Sequence, residues 1–465
     1  MKDNTEELVA LAVEAYVYGC PLVRSLSAVE DFMQTGFGAL PPAPFNHFTH
    51  SEGPVTPDRD FVSVGSDTAC SIAQLDLSGG PVLLHVPDTG GAYYVLQFVD
   101  AWTNNFAYVG HRATGTEEGD WLVVPPGWSG GVPDGVRGVI DAPTSVVSVV
   151  GRFALNGPGD LRRVRGLQAR LSLAYLEPGA HRTGLPVPDP DVPESLRFFE
   201  QLRVWAADFP SSAADQAYQD RFQPLWLLEE GPSPYVSAGP ALAHALGEGL
   251  ARGRAWAEEA SRPAGTDGLA GTGGPAGTGR PAEAGGGWQV DPHLFDYNLD
   301  RYGVGTIDSP QWRVADREAS YRVRAVAAWS RLWGSHGYEA VYARTSHDAD
   351  GEQLNGARRH VLRFEREPPV GAFWSMTVHG TRDSRPTGGA AGRWSIGDRT
   401  PGLVYGEDGS LTIHLQRERP DDPAAAANWL PVPEGDFRAV LALHEPGPEI
   451  LDGTYRIPAV ARRGG

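Results

Sequence analysis

Residues 82–99 read VLLHVPDTGGAYYVLQFV, and this stretch decides the fold. Residues 82–86 form a short apolar run, residues 88–91 are rich in turn formers, and residues 93–99 are apolar at almost every position. Apolar residues at successive positions are typical of a strand that is buried on both faces. Turn chemistry between two such runs therefore predicts paired β-strands in a sheet-rich domain.

Further short strands are predicted on both sides of this stretch, each bounded by Gly or Pro. They lie at residues 121–124, 146–153 and 171–175, and this spacing favours a sandwich or jelly roll. A second set follows near the end of the chain. Residues 411–416 alternate apolar and polar side chains after an Asp-Gly turn, and residues 437–443 form another strand.

Helical patterns begin the chain and separate the two strand-rich regions. Asn4 and Glu7 resemble a capping box, which predicts a helix over residues 4–20. Pro21 lacks a backbone donor and is expected to end or kink that helix before a second one at residues 22–33. Residues 262–287 are almost entirely Gly, Ala, Pro and Thr, so we expect a flexible surface insertion there.

The sequence thus predicts a mainly β protein with helical additions and two jelly-roll or β-sandwich-like domains. The predicted units are an N-terminal helical segment (1–34), a first β domain (35–185), a helical connector (186–335) and a second β domain (336–465).

Composition restricts the class of protein. The 465-residue chain has a formal net charge of -19, which disfavours binding to nucleic acid and to anionic membranes. Its two cysteines, Cys20 and Cys70, are too few for a disulfide framework or a structural zinc site. The N-terminus has no cationic region, and no run of 18 apolar residues occurs, so we expect a cytoplasmic protein. A small-molecule ligand is the expected partner, and a homo-oligomer is left open.

Several blocks resemble a known pair of domains. The blocks EAYVYG (14–19), PL (21–22), LSGGPVLLHVPDT (77–89), YY (93–94) and DAWTN (100–104) resemble the domain of unknown function numbered 1254. The blocks AFWS (372–375), IGDRTP (396–401), NWLP (428–431) and EILDGT (449–454) resemble its usual C-terminal partner, the domain numbered 1214.

The resemblance implies an N-terminal helix, two jelly-roll-like domains and a helical connector, and it implies no reaction. One motif departs from the pattern. The family typically carries Pro-Asn-x-Asp-Thr before the first long strand, whereas residues 64–68 here read VGSDT and lack the Pro and Asn. If that Asn binds substrate in relatives, this chain has different chemistry.

Candidate site residues in the first domain begin in a proline-rich loop. His47 and His50 are three residues apart, but no carboxylate or histidine cluster completes a metal site beside them. Local hydrogen bonding, metal binding and acid/base use of His50 are the alternatives. Asn46 belongs to a retained Asn-x-Phe-x-His pattern. Asp67 and Thr68 either cap a turn or present a carboxylate to a cleft.

Asp100, Trp102 and Asn104 follow a strand that is predicted to be buried on both faces. A carboxylate at that position needs a partner. The three residues form either a structural hydrogen-bond hub or a polar cluster with an aromatic wall that suits an organic ligand.

The remaining candidates lie in the connector and the second domain. Tyr321 as a proton donor and Arg322 as an anion clamp are placed on the connector helix, with solvated helix charges as the alternative. Asp398 and Arg399 form either an ion pair, a turn or part of a site. Asn428 and Trp429 are expected to line the same pole as ligand contacts.

The favoured hypothesis is a cofactor-independent enzyme that acts on a small organic molecule by general acid/base chemistry. Hydrolysis, elimination, isomerisation and cyclisation all stay open, and a biosynthetic tailoring step would fit. The chain has no Gly-x-Gly-x-x-Gly after a strand and no His-Glu-x-x-His motif, so no cofactor and no metal are predicted. Alternatives are a jelly-roll binding or assembly protein and a metal-dependent hydrolase. Under the first hypothesis the catalytic residues are His50, Asp67, Asp100 and Tyr321, gathered in one crevice.

Overall fold

The structure is a computed structural model. It describes residues 2–38, 40–51, 67–180, 182–261, 282–283, 287–381, 393 and 395–463.

The first β domain is a sandwich of a five-stranded and a four-stranded sheet, in the orders β1-β2-β8-β4-β5 and β7-β6-β3-β9. The pairs are antiparallel except for β6 with β7. Its strands are β1 (Thr49–His50), β2 (Thr68–Asp76), β3 (Val82–Val86), β4 (Tyr94–Asp100), β5 (Asn105–Gly110), β6 (Gly119–Val124), β7 (Val136–Asp141), β8 (Val146–Ala154) and β9 (Ser172–Tyr175).

Both faces of the five-stranded sheet are buried, as the apolar run at residues 93–99 predicts. Tyr94, Leu96 and Phe98 point into the sandwich core, whereas Val95 and Val99 belong to two clusters on the opposite face. That opposite face carries the site described below.

The second β domain is a sandwich of a six-stranded and a four-stranded sheet, in the orders β10-β11-β12-β18-β14-β15 and β17-β16-β13-β19. Its strands are β10 (Ala282–Glu283), β11 (Gln289–Val290), β12 (Ala340–Thr345), β13 (His360–Phe364), β14 (Val370–Gly380), β15 (Ser395–Gly397), β16 (Leu411–Gln416), β17 (Trp429–Pro431), β18 (Phe437–Pro446) and β19 (Ala461–Arg462). The predicted Asp-Gly turn precedes β16, with Gly409 at φ 78°.

Helices pack around the first sandwich and between the two domains. They are α1 (Lys2–Thr35), α2 (His111–Thr114), α3 (Leu161–Gln168), α4 (Arg197–Asp208), α5 (Gln216–Gln219), α6 (Pro240–Ala260), α7 (Arg317–Ser330), α8 (Pro423–Ala427) and α9 (Pro448–Leu451). Short 3-10 turns lie at Pro158–Asp160, Glu194–Leu196, Ala213–Asp215, Asp220–Leu225 and Pro310–Trp312.

The prediction that Pro21 ends the first helix and a second one follows is wrong, because α1 is one helix that contains this proline. Burial explains the continuity: Ala12, Leu22 and Leu26 lie in a core that α1 shares with α4 and α6. Gly249 of α6 lets the two helices approach closely, since a Cβ there would overlap the Cβ of Ala12. Packing of this extent offsets the missing hydrogen bond of a proline.

The segment Thr5–Thr35 is long and apolar enough to cross a membrane, and 67% of its most apolar window is buried in the protein. Core helices of soluble proteins and N-terminal signal sequences share these properties, so the helix does not decide the location of the protein.

Most of the predicted flexible insertion at residues 262–287 lies outside the described residues. Within it, Ala282–Glu283 pairs with Gln289–Val290 as the edge of the six-stranded sheet.

The outer faces of the two large sheets pack against each other, and we call this buried contact region the interdomain cleft. The ring of Tyr93 from the first domain contacts that of Phe373 from the second at 5.5 Å between centroids. Both rings lie in one buried cluster with Tyr108 and Tyr338. The cleft is therefore part of the fold rather than a gap between independent units.

Candidate functional site

The residues that the sequence assigns to one crevice lie at opposite ends of the five-stranded sheet. Thr68 is paired with Ala154 of β8, whereas Asp100 is paired with Val147 of the same strand. Seven residues of strand correspond to about 23 Å. Catalytic groups must reach one reacting centre, so the single-crevice hypothesis does not hold.

At one end lies a set of hydrogen-bonded side chains that we call the connector network: Asp100, Asn104, Asp215, Asp300, Arg317, Tyr321 and Arg324. Asp100 is 2% exposed. Asn104 donates to its carboxylate from the backbone N at 2.8 Å and from Nδ2 at 2.9 Å. Arg324 donates from Nη2 to Oδ1 of Asn104 at 3.1 Å. Burial raises the pKa of Asp100, and the hydrogen bonds from Asn104 and the charge of Arg324 oppose that rise.

The second half of the connector network is centred on Asp215, which is also 2% exposed. Its Oδ1 accepts hydrogen bonds from the hydroxyl of Tyr321 at 2.7 Å and from Nη1 of Arg317 at 2.8 Å. Arg317 also pairs with Asp300. Burial raises the pKa of Tyr321, and the hydrogen bond to Asp215 raises it further, so this hydroxyl stays protonated.

Arg322, predicted as the anion clamp of this helix, is exposed. Arg324, two residues on, is 5% exposed and takes the inward position. An α-helix has 3.6 residues per turn, so two residues that are two positions apart face different sides. The packing of the helix therefore determines which of the two arginines is buried.

A small cavity of about 30 Å³, partly open to solvent, lies against the connector network and is lined by Asp100, Trp102, Asn104 and Arg324 among others. Trp102 donates from Nε1 to the carbonyl oxygen of Phe209 at 2.7 Å. The carboxylates of Asp100 and Asp215 thus accept hydrogen bonds from the chain itself, as a structural hub requires. Nε of Arg324 is buried and has no hydrogen-bond partner among the described residues.

At the other end of the five-stranded sheet, Asp67 lies in the interdomain cleft. Its Oδ1 accepts a hydrogen bond of 2.6 Å from Oγ of Ser395, which belongs to the second domain. Its Oδ2 is buried and has no hydrogen-bond partner among the described residues. A buried carboxylate oxygen without a donor is unusual and requires an explanation.

Arg399 lies beside Asp67 and is half-buried. Its guanidinium group is 3.4 Å from the centroid of the Phe373 ring. Nη1 donates to Oδ1 of Asn156 at 3.0 Å, and Nη2 donates to the backbone oxygen of Asp67 at 3.4 Å. The cation is therefore fixed in position by an aromatic face and by contacts from both domains.

Asp398 is the adjacent titratable group. Burial raises its pKa to about 6, with a further rise from Glu367, while Arg399 and the backbone N–H of Trp374 oppose the change. That N–H donates to Oδ1 of Asp398 at 3.2 Å. Among the sequence-predicted residues, Asp67, Thr68 and Arg399 come together in the cleft, and the charge of Arg399 is felt by both Asp67 and Asp398.

Arg152 and His444, which the sequence analysis missed, also face the cleft. Arg152 is 7% exposed and donates from Nη1 to Oε1 of Gln97 at 3.3 Å. Burial lowers the pKa of His444 to about 3, and the charges of Arg152 and Arg399 lower it further, so this imidazole is neutral at neutral pH. Arg152 could have been found from the sequence, because it is a charged residue in the otherwise apolar strand of residues 146–154 and such a residue is rarely buried without a specific role.

A buried ion pair joins the two domains at the side of the cleft. Nε of Arg112 lies 2.8 Å from Oε2 of Glu339, whose side chain is 2% exposed. The hydroxyl of Tyr93 donates to Oε1 of the same carboxylate at 3.3 Å. This pair keeps its hydrogen bonds inside the chain and holds the domains in register.

The two candidates from the proline-rich loop lie elsewhere. His50 is paired with Ser71, on the sandwich side of the sheet, and its Nδ1 lies 2.9 Å from Oγ of Ser71. Burial lowers the pKa of His50. Asn46 bonds both backbone groups of Asp76, at 2.9 and 3.1 Å. Both residues thus hold the edge of the five-stranded sheet.

Asn428 and Trp429 also have structural partners. The amide of Asn428 bonds the backbone N and O of Val404 at 2.9 and 2.6 Å. Trp429 donates from Nε1 to the backbone oxygen of Gln416 at 2.7 Å. They stabilise the edge of the small sheet of the second domain.

Residues 127–131 read GWSGG and match the Gly-x-Ser-x-Gly pattern. Ser129 is exposed on a loop between β6 and β7, and the strand-to-helix turn of a nucleophile elbow does not follow. Among the described residues, no group of three or more His, Cys, Asp or Glu side chains is arranged to hold a metal ion.

The fold is similar to that of a solved structure. The VPA0106 protein from Vibrio parahaemolyticus aligns with a TM-score of 0.73 and 22% identity, over 98% of this chain and 100% of that one. A putative uncharacterized protein from Burkholderia cenocepacia aligns with a TM-score of 0.41 and 10% identity, over 99% of this chain and 93% of that one. No curated protein matches the chain.

Two family models match the chain, one in each β domain. "Protein of unknown function (DUF1254)" matches residues 45–175, and "Protein of unknown function (DUF1214)" matches residues 339–448. Both agree with the resemblance of the sequence blocks. The chain therefore belongs to the family that joins an N-terminal DUF1254 domain to a C-terminal DUF1214 domain.

Proposed function

We propose that the chain is an enzyme that acts on a small organic molecule in the interdomain cleft by general acid/base chemistry. The observation that carries this proposal is the arrangement of two carboxylates, Asp67 and Asp398, beside the fixed cation Arg399. One carboxylate oxygen of Asp67 has no partner within the described residues.

Asp398 is the proton donor and acceptor of this proposal. A general acid or base works best when its pKa lies near the operating pH, and burial brings the pKa of Asp398 to about 6. Its protonated and ionised forms are both populated near neutrality. Asp67, with Oδ1 held by Ser395, keeps Oδ2 for a donor on the substrate.

Arg399 supplies the positive charge. A guanidinium group held against a ring and two hydrogen-bond acceptors needs little rearrangement to stabilise negative charge that develops on a substrate. Proton transfer next to a fixed cation supports isomerisation, elimination and hydrolysis. In an isomerisation, Asp398 takes a proton from one substrate atom and returns it to another. In an elimination, it takes the proton while the bond to the leaving group breaks and that group departs with the electron pair. In a hydrolysis, it takes the proton from an attacking water and gives it to the leaving group as the substrate bond breaks.

The connector network is a weaker candidate for the same chemistry. Asp100 and Asp215 both accept hydrogen bonds from donors of the chain, so a substrate would have to displace those donors. The interdomain cleft requires no such displacement at Oδ2 of Asp67.

The test compares three proteins in a metabolite extract: the wild type, Asp398→Asn, and the matched control Asp421→Asn at an exposed site of the same domain. We expect the wild type and Asp421→Asn to deplete the same compound, and Asp398→Asn to do so roughly 100-fold more slowly. Untargeted mass spectrometry measures the depletion.

Equal depletion by all three proteins would remove Asp398 from the mechanism. If the wild type retains a compound without converting it, the chain is a binding protein, the alternative raised by the sequence.

A further inference from the structure

Two cavities lie where the first β domain meets the connector, and we call them the inner and the outer cavity. The inner cavity is the one of about 30 Å³ beside Asp100 and Arg324. The outer cavity measures about 350 Å³, and ligand pockets usually measure about 300–1,000 Å³. Pro143, Thr144 and Pro210 line both cavities, so the two adjoin each other.

The lining of the inner cavity includes a donor that the chain does not satisfy. Arg324 is 5% exposed, and Nε of its guanidinium group has no hydrogen-bond partner among the described residues. Nη2 of the same group donates to Oδ1 of Asn104 at 3.1 Å and to the backbone oxygen of Tyr297 at 3.4 Å. A buried guanidinium N–H without an acceptor costs free energy, which an acceptor oxygen from a ligand would recover.

The size of the inner cavity restricts what can enter it. A water molecule needs about 10–15 Å³ of such volume, so about 30 Å³ holds a single small polar group and no ring. A larger ligand would therefore place one group in the inner cavity and its body in the outer cavity.

The charges around the inner cavity cancel. Three carboxylates and three guanidinium groups lie in its lining or are paired with it: Asp100, Asp215, Asp300, Arg301, Arg317 and Arg324. An ionic group would disturb this balance. A hydroxyl group suits it, because a hydroxyl can accept from Arg324 and donate to a carboxylate of the lining.

The outer cavity is more apolar than the inner one. Half of its lining residues are apolar side chains: Leu77, Pro125, Pro126, Pro143 and Pro210. Proline rings present rigid C–H surfaces and have no backbone donor. Of the described residues that line this cavity, Asp208 alone is charged. A ring with C–H faces and hydroxyl groups at its edge matches an apolar wall that leads to a polar end.

We propose that the two cavities form one binding site for a neutral, hydroxyl-bearing organic compound of the sugar or cyclic polyol class. One hydroxyl group occupies the inner cavity beside Arg324, and the ring lies in the outer cavity against the prolines. The site is at the opposite end of the five-stranded sheet from Asp67, so it is separate from the site of the proposed function.

The experiment measures the binding of two neutral probes, D-glucose and myo-inositol, by saturation-transfer difference NMR. Succinate and choline are the charged comparison probes. The first variant is Pro126→Trp, because Pro126 is an exposed residue of the outer cavity and a larger ring there fills the cavity without entering the core. Pro232→Trp is the matched control, at an exposed proline that is outside both linings.

We expect at least one neutral probe to bind the wild type and Pro232→Trp with equal affinity and to bind Pro126→Trp about tenfold more weakly or worse. Arg324→Lys keeps the charge and loses the planar donor group, so the folded variant should also lose about tenfold in affinity. Circular dichroism shows whether each variant is folded. Asp398→Asn, in the interdomain cleft, should bind the probe as the wild type does.

Absence of binding by both neutral probes would mean that the inner cavity holds water alone, and it would overturn the proposal. So would tighter binding of succinate or choline, equal binding by Pro126→Trp and Pro232→Trp, or unchanged binding by folded Arg324→Lys. Loss of binding in Asp398→Asn with retention in Pro126→Trp would place the probe in the interdomain cleft and would also contradict a separate site.

Discussion

The connector network and the interdomain cleft both bury charged side chains at a domain border, but the hydrogen bonds to their carboxylates differ. In the connector network, Asp100 and Asp215 accept hydrogen bonds from Asn104, Tyr321 and Arg317. In the cleft, Oδ2 of the Asp67 carboxylate has no partner among the described residues, whereas in the connector network the unpartnered buried atom is Nε of Arg324. The two regions therefore differ in their carboxylates: those of the connector network stabilise the fold, and that of the cleft keeps one oxygen open to a donor.

The largest expected effect is the loss of folding stability when a carboxylate of the connector network is removed. Asp215→Ala leaves Arg317 and Tyr321 without their shared acceptor, so we expect the free energy of unfolding to fall by about 3 kcal/mol. Urea denaturation measures this change. Asp220→Ala, at an exposed position nearby, should differ from the wild type by less than about 0.5 kcal/mol.

If Asp215→Ala were as stable as Asp220→Ala, the connector network would not be structural. The contrast with the cleft would then fail, and the cavity beside Asp100 would become the better candidate for the functional site.

The sequence predicts contacts in the connector network better than those in the cleft. Asp100 and Asn104 are four residues apart at the end of one apolar strand, so a local argument finds them. Asp67 and Ser395 are 328 residues apart, and their hydrogen bond exists only because two sheets pack face to face. No local pattern records that packing.

Tertiary packing also decides two features that local sequence predicts wrongly or not at all. Pro21 is a local signal for a helix end, and the packing of α1 overrides it. Arg322 and Arg324 are the same residue type on one helix, and only the packing of α7 determines that Arg324 is the buried one. The two β domains were predictable because alternation and turn residues are properties of adjacent positions.

A second prediction concerns backbone strain next to the connector network, at the residue before Asn104. Thr103 adopts φ 67°, a left-handed conformation that is unfavourable for a β-branched residue. The hydroxyl of Tyr297 holds it by donating to its carbonyl oxygen at 2.8 Å. Thr103→Gly keeps that hydrogen bond and relieves the strain, so we expect about 1 kcal/mol of added stability. Thermal denaturation is the measurement.

Thr103→Ser is the matched control, because it keeps both the hydroxyl group and the left-handed backbone, and its stability should be close to that of the wild type. If Thr103→Gly instead lost stability, the threonine side chain rather than the backbone would hold the turn between β4 and β5.

The smallest expected effect is on the pH dependence of stability, to which Asp398 and Asp160 contribute with opposite signs. In the folded protein the pKa of Asp398 is raised to about 6, mainly by burial, so the folded state binds the proton more tightly than the unfolded chain. Stability from this group is present at low pH and is lost as the pH rises from about 4 to about 6. Asp398→Asn removes that loss.

Asp160 provides the matched control, because its pKa is lowered, first by the hydrogen bond from Arg163. Stability from Asp160 is present above the pKa of the unfolded chain and is lost as the pH falls. Relative to the wild type, Asp398→Asn should therefore gain stability as the pH rises from 4 to 7. Asp160→Asn should lose stability relative to the wild type as the pH rises through the range below about 4, and should show little further change up to pH 7. Melting temperatures measured from acidic to neutral pH follow both trends. Parallel trends for the two variants would mean that burial does not disfavour the charge of Asp398, and the cleft would lose its proton donor.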